Sequence, residues 1–216
     1  MPDDKSLPRP STRERVLDAA ERLLRRDGSG FSMRDLAAEA AVSFATPFNQ
    51  FGSKGAIILA LSERRIAAMR ARLDAVPRPA TTVARVLAAV DAAASVMLGD
   101  PEVNRAVMAV LGAPADATGN VSSRSGALWA EALGDGDGLL AATRTLALAV
   151  LPDQLAVAFR GVLSFWTAGE LPDRLLHHRA RAAAATLLLG FGEPGVQTEL
   201  LSVLRAGPAA DHPGSD

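Results

Sequence analysis

Apolar residues recur along the chain at helical rather than strand spacing, with helix-starting and helix-stopping residues between them. Val16, Ala19, Ala20, Leu23 and Leu24 form one stripe, preceded by Ser11 and Glu14 at capping-box spacing and followed by Gly28. This predicts a first helix from Ser11 to about Gly28. The start signal repeats at Phe31-Ser32-Met33-Arg34-Asp35-Leu36, with Ser32 and Asp35 as a box and Phe31 and Leu36 as a hydrophobic staple. A short second helix follows, ending near Ala40. Ser43 is placed to cap a third, Gly52-Ser53 breaks it, and Ser53 caps a fourth that runs to about Leu73. Two short helices separated by a tight turn are the helix-turn-helix arrangement, whose second helix enters the major groove of DNA.

Beyond Val76-Pro77-Arg78-Pro79, further helices are predicted near 81–98, 101–111, 122–133, 138–149, 153–168 and 172–191, with breaker-rich loops at 112–120 and 134–138. Residues 1–10 read as a flexible tail. After Gly192 the pattern predicts at most one short helical turn and a tail. The expected fold is all-α, with a helix-turn-helix DNA-binding domain at 11–56, a larger helical domain at 57–192 and a C-terminal tail at 193–216.

Composition sharpens this reading. Alanine and leucine dominate the 49% hydrophobic content, and the β-branched and aromatic runs of strands are missing. With no cysteine, disulfides, thiolate metal sites and cysteine nucleophiles are excluded. The N-terminus lacks the apolar core of a signal peptide, and no apolar run approaches the roughly 20 residues of a membrane span. A soluble, cytoplasmic protein without a membrane partner is expected. Residues 1–75 carry 13 Lys/Arg against 10 Asp/Glu, a net of +3, and the remainder carries 10 against 14, a net of −4. A mildly basic front on an acidic body is compatible with a polyanionic partner. Yet no charged residue lies between Glu39 and Lys54, where the reading helix falls.

Three segments in order, T-R-E-R-V-L-D-A-A-E-R-L-L (12–24), F-S-M-R-D-L-A-A-E-A-A-V-S (31–43) and T-P-F-N-Q-F-G-S-K-G-A-I (46–57), resemble the N-terminal domain of the tetracycline-repressor (TetR) family of bacterial transcription regulators. F-R-G-V-L-S-F-W-T-A-G-E-L (159–171) resembles the penultimate helix of many members. The resemblance implies an all-helical homodimer in which three N-terminal helices bind an operator and a fourth leads to a ligand-binding body. The last two long helices, here near 153–168 and 172–191, would pair with their mates. It implies DNA contacts by Arg34, Ser43, Phe44, Thr46, Phe48, Asn49, Gln50 and Lys54, with Lys54 on phosphate. Arg9 and Arg13 would add contacts from the tail. Phe48 stands where the family usually has tyrosine, and Pro47 where leucine or isoleucine is common. Pro47 is expected to remove one backbone hydrogen bond, to the carbonyl of Ser43.

Little charge is needed in such a reading helix, because phosphate contacts dominate affinity and can be made by other elements. Helix N-termini supply free N–H groups, and a phenyl ring or a threonine methyl can pack on the thymine methyl.

For the body, Met97, Met108, Leu111, Trp129, Phe159 and Trp166 are the candidate ligand-binding residues, with Leu128 and Leu163 beside them, and core packing is the competing role of each. Arg105, Asn104, Arg144 and Gln154 are candidate polar contacts. The expected effector is a small, largely hydrophobic molecule. Asp173 and His177 share a helical face and could ligate a metal, although Leu171-Pro172-Asp173 also reads as a plain helix start; no metal site is assigned. Small residues (Ala156, Gly161, Ala168, Ala180, Ala183, Ala184) with Leu175, Leu187, Leu188 and Phe191 point to a homodimer interface, with packing as an internal core helix the competing role. No cofactor is implied, and no nucleophile or spaced carboxylate pair suggests an enzyme. The reading is a ligand-responsive DNA-binding transcriptional regulator, a repressor released from a near-palindromic operator by its effector. The competing reading is a helical small-molecule-binding or adaptor protein with a decayed DNA-binding motif.

Overall fold

A computed structural model describes residues 10–112 and 121–207 of the chain. The proposed tail contacts of Arg9, the loop 113–120 and the last residues of the tail lie outside the described residues. Ten α-helices follow in order: α1 Thr12–Asp27, α2 Met33–Glu39, α3 Ala45–Phe51, α4 Lys54–Asp74, α5 Thr82–Leu98, α6 Pro101–Gly112, α7 Val121–Leu133, α8 Arg144–Thr167, α9 Asp173–Leu189 and α10 Pro194–Arg205. Among the described residues no strand forms, only an isolated bridge between Leu139 and Gly192.

The serine caps form as expected, but at α1 only half of the predicted box does, because the Glu14 carboxylate pairs with Arg64 and does not reach back to the cap. Ser11 Oγ accepts from the Glu14 N–H, Ser53 Oγ from the Ala56 N–H, and Ser32 and Asp35 close a reciprocal capping box. The Ser32 hydroxyl and N–H, both donating to the Asp35 carboxylate, hold its pKa below the usual range. Gly28 ends α1 at φ +59°.

The start of α3 differs. Its cap position is Phe44, and Ser43 makes no cap: its hydroxyl pairs with that of Thr46 at 2.8 Å. The turn before it is set instead by Ala41, at φ +52° in the left-handed region, and by Arg15, whose guanidinium donates to the carbonyls of Ala40 and Ala41, both at 2.9 Å. With α3 starting at Ala45, Pro47 falls in the first turn, where a backbone N–H has no intrahelical acceptor. The Ser43 carbonyl accepts from the Thr46 N–H at 3.0 Å. The expected loss of a hydrogen bond does not occur, and Pro47 is the buried residue of α3.

Three expectations for the body are corrected. Residues 138–143 form turns rather than a helix, and Pro152 sits inside one continuous α8. That fused helix is long and apolar enough to cross a membrane, unlike either predicted half, but it packs on α6, α7 and α9 and carries Arg144, Asp153 and Arg160. Residues 194–205 form a full helix that buries Leu200 and packs on α9, so the expected C-terminal tail is structured through Arg205.

Two apolar cores form. One joins α5 with α7, α8, α9 and α10. The other holds the inner faces of α1, α2 and α4, and into it α6 inserts Val103 and Val107. The head is therefore closed on one side by a helix of the body. Ion pairs follow the same seam. Arg64 of α4 meets Glu14, Asp18 and Glu21 along one face of α1, and Arg25 of α1 meets Asp100 just before α6.

Candidate nucleic-acid interface and ligand pocket

Because Pro47 turns inward, α3 turns the opposite side to solvent. Phe44 is 56% and Phe48 42% exposed, an unusual display for two phenyl rings, and Asn49 and Gln50 are exposed beside them. The rings meet edge to face at 5.6 Å, one helical turn apart. Arg34 of α2 places its guanidinium 5.9 Å from the Phe44 ring centre. Thr46 is half-buried, and its hydroxyl is held by Ser43. Thus Arg34, Ser43, Phe44, Thr46, Phe48 and Asn49 cluster on and beside one short helix.

Lys54 stands apart in its engagement. Its ammonium donates to the Phe31 carbonyl at 2.6 Å and lies 4.2 Å from the Phe31 ring centre. Partial burial lowers its pKa, and the charge of Asp35 opposes the shift. An ammonium has three donors, so a carbonyl bond does not exclude a phosphate. Arg13 lies over the Phe51 ring at 5.1 Å, at the opposite end of α3 from Phe44.

In the body, α4, α5, α6, α7 and α8 enclose a cavity of about 250 Å³. Of the six predicted ligand residues, Met97, Met108, Trp129 and Phe159 line it, as do Leu128 and Leu163. The other two do not. Leu111 packs against the head core, and Trp166 is fully buried, with its indole N–H donated to Asp173 at 2.7 Å and Arg105 stacked on its ring. Among the proposed polar contacts only Asn104 reaches the cavity. It is already committed: its amide donates to the carbonyls of Val96 and Met97 at the end of α5 (3.1 and 2.8 Å). Arg105 pairs with Asp173, Arg144 donates to the Leu139 carbonyl, and Gln154 faces outward. Asp173 is thereby held by Arg105 and Trp166, while His177 faces Asp91 and Ser95, and the two do not converge on a shared site.

Sequence reasoning missed the charged members of the wall. Arg65 lines the cavity, pairs with Glu21 of α1 at 2.9 Å and donates to Asn104 Oδ1 at 2.5 Å. Arg160 lines it from α8, and burial alone pushes its pKa below the ordinary arginine value. The only available signal was that Arg160 directly follows Phe159 in an otherwise apolar stretch.

The helices read as a dimer interface divide unevenly. Leu146, Val157 and Phe165 are each more than half exposed and fall with Gly161 along one flank of α8. Ala180, Ala184 and Leu188, counted from sequence toward the interface, are buried inside the chain.

Residues 16–61 match the family described as bacterial regulatory proteins, tetR family. No curated protein matches the chain in sequence. Among solved structures, a TetR transcriptional regulator from Rhodococcus sp. RHA1 superposes with a TM-score of 0.65 at 20% identity, over 84% of this chain and 97% of its own. SmeT, the repressor of the Stenotrophomonas maltophilia multidrug efflux pump SmeDEF, superposes with a TM-score of 0.60 at 20% identity, over 86% of this chain and 93% of its own. At such identities the likeness is one of fold, and it extends the match of the head over the body. The N-terminal segment thus matches the tetR family of bacterial regulatory proteins, and the chain as a whole shares the fold of these two regulators.

Proposed function

We propose that the chain is a ligand-responsive transcriptional repressor that binds a near-palindromic operator as a homodimer and is released by a small, largely hydrophobic effector. It binds without turning over its ligand. In this reading Phe44 of α3 meets base edges, Phe48 supports its ring, Arg34, Thr46, Asn49 and Gln50 position the helix, and Lys54 meets phosphate. A homodimer formed across the apolar flank of α8 sets the two reading helices one DNA turn apart, roughly 34–36 Å. The repressor role follows that of SmeT, whose fold this chain shares.

The observation that carries the reading is the placement of α6. One face supplies Val103 and Val107 to the head core, and the other supplies Asn104 and Met108 to the cavity wall, with Val107 touching both. An effector that displaces this wall displaces the support of the head, and a ligand that binds one arrangement better shifts the population toward it.

Selection of bound fragments from sheared genomic DNA of the source organism tests the proposal. An enriched inverted repeat is the expected result. Folded, dimeric protein that enriches nothing would favour the helical binding protein with a decayed head. On the enriched site, Lys54→Ala is expected to weaken all sequence variants about equally and to reduce the salt slope of log K by about one. A changed base preference with an unchanged slope would reject the phosphate role.

A further inference from the structure

The cavity has an apolar body with one charged end that no described residue neutralises. Its wall is built mainly of Ile66, Met69, Met97, Leu128, Phe159 and Leu163. No acidic residue lines it among the described residues. Of its two arginines, Arg65 already serves Glu21 and Asn104. Among the described residues Arg160 has neither an acceptor nor a carboxylate partner, and its half-burial leaves the guanidinium poorly hydrated. Burying a charge without a partner is costly, so such a group is retained against stability.

A second polar group is in the same condition. The indole N–H of Trp129 is buried and makes no hydrogen bond, although the ring lines the cavity. Buried donors without acceptors are uncommon and call for an explanation. The neighbouring tryptophan shows the usual arrangement, its N–H held by Asp173 at 2.7 Å. Two donors lacking acceptors on the wall of one apolar cavity describe the complement of what should fill it.

We propose that the cavity takes an amphipathic organic carboxylate, its charged end paired with Arg160, an oxygen accepting from Trp129 and its apolar body lying against the methionines and Phe159. This rests on reading the cavity as the effector site. A carboxylate fits better than a phosphate monoester. One unpaired guanidinium matches one negative charge, and the fork of donors matches the two carboxylate oxygens. A dianion would bring a second charge into an apolar enclosure.

A matched series on the full chain tests this: decanoate, 1-decanol, decylamine and decyl phosphate, each measured by isothermal titration. Decanoate is expected to bind roughly 10- to 100-fold more tightly than decanol and decylamine. Arg160→Met, which keeps the bulk of the side chain, is expected to abolish that preference while leaving decanol affinity within about threefold. Arg160→Lys should restore part of it, and a thermal midpoint without ligand no lower than that of the native chain shows that the variants fold. Decanol or decylamine binding the native chain as well as decanoate would overturn the carboxylate class but keep the cavity as a ligand site. So would an Arg160→Met variant that retains the preference. Tighter binding of decyl phosphate would transfer the anion assignment to phosphate. Failure of all four to bind would reject both the proposal and the reading of the cavity on which it rests.

Discussion

Replacement of Arg85 by alanine is expected to destabilise the chain by about 3–5 kcal/mol, the largest effect of any single arginine here. For a chain of this size that corresponds to a fall in thermal midpoint of roughly 6–20 °C. Arg85 of α5 is buried, and its fork donates to the carbonyls of Ala132 and Leu133 at the end of α7 (3.1 and 3.2 Å), to the Ala80 carbonyl (2.8 Å) and to the Thr82 hydroxyl (3.0 Å). The last carbonyls of a helix have no intrahelical donor, so Arg85 closes the C-terminus of α7 from the side. Truncation strands the buried Ala132 carbonyl and leaves that of Leu133 to the Thr82 hydroxyl alone. Arg85→Lys keeps the charge but cannot span several acceptors at once, and is expected to recover less than half of the loss. Thermal and urea unfolding measure both variants. A loss below about 1 kcal/mol for Arg85→Ala would mean that water replaces the guanidinium, and the proposed closure of α7 would fail.

The second large effect concerns specificity. Phe44→Ala is expected to lower affinity for the selected operator by about 1–2 kcal/mol and to relax preference at one A·T pair per half-site, with the salt slope unchanged. The ring sits at the first turn of α3, leans on Phe48 and has Arg34 over its face, so it is oriented before DNA arrives. Held in this way it gives up little rotamer freedom on binding. Phe48→Tyr, which restores the hydroxyl common in the family, is expected to raise affinity across sequences and not to alter preference. Binding measured against every single-base variant of the operator separates the two. A uniform loss for Phe44→Ala would make the ring a packing element of α3 and not a reader of bases.

Features of the head were legible in the sequence where they are local. The Ser11, Ser32–Asp35 and Ser53 caps each link residues three apart, so spacing alone identifies them. The Ser43 cap failed because the turn before α3 is held by Arg15, more than twenty residues away, and because Ala41 adopts a left-handed conformation that alanine does not advertise. The break expected before Asp153 failed in the opposite direction. Proline removes one hydrogen bond from a helix, yet Leu151 and Leu155 on either side are buried, and their packing carries α8 through it. Pro194, at the first turn of α10, was a start signal that the glycine- and proline-rich surroundings concealed.

The cavity divides in the same way. Methionines and aromatics announce an adaptable apolar wall, and four of the six named residues belong to it. Whether a given aromatic lines a cavity or fills a core depends on which neighbours reach it, and Trp166 lost that role to Asp173 and Arg105. Arg65 and Arg160 were invisible because a charged residue on a helix ordinarily faces water. Only the tertiary arrangement shows one of them braced against α1 and the other with no described residue to answer its charge.

Because Val103 and Val107 are built into the head core, the head is not a self-contained folding unit. A chain cut between α4 and α5 would leave in water the apolar surface that these valines cover, at about 25 cal/mol for each Å² exposed. Opening of α1 in the intact chain is tied to detachment of α6, so amide protons in these two helices should exchange through one shared event and not by separate local fraying. The lower limit on a portable DNA-binding fragment is therefore set by α6, more than forty residues beyond the reading helix.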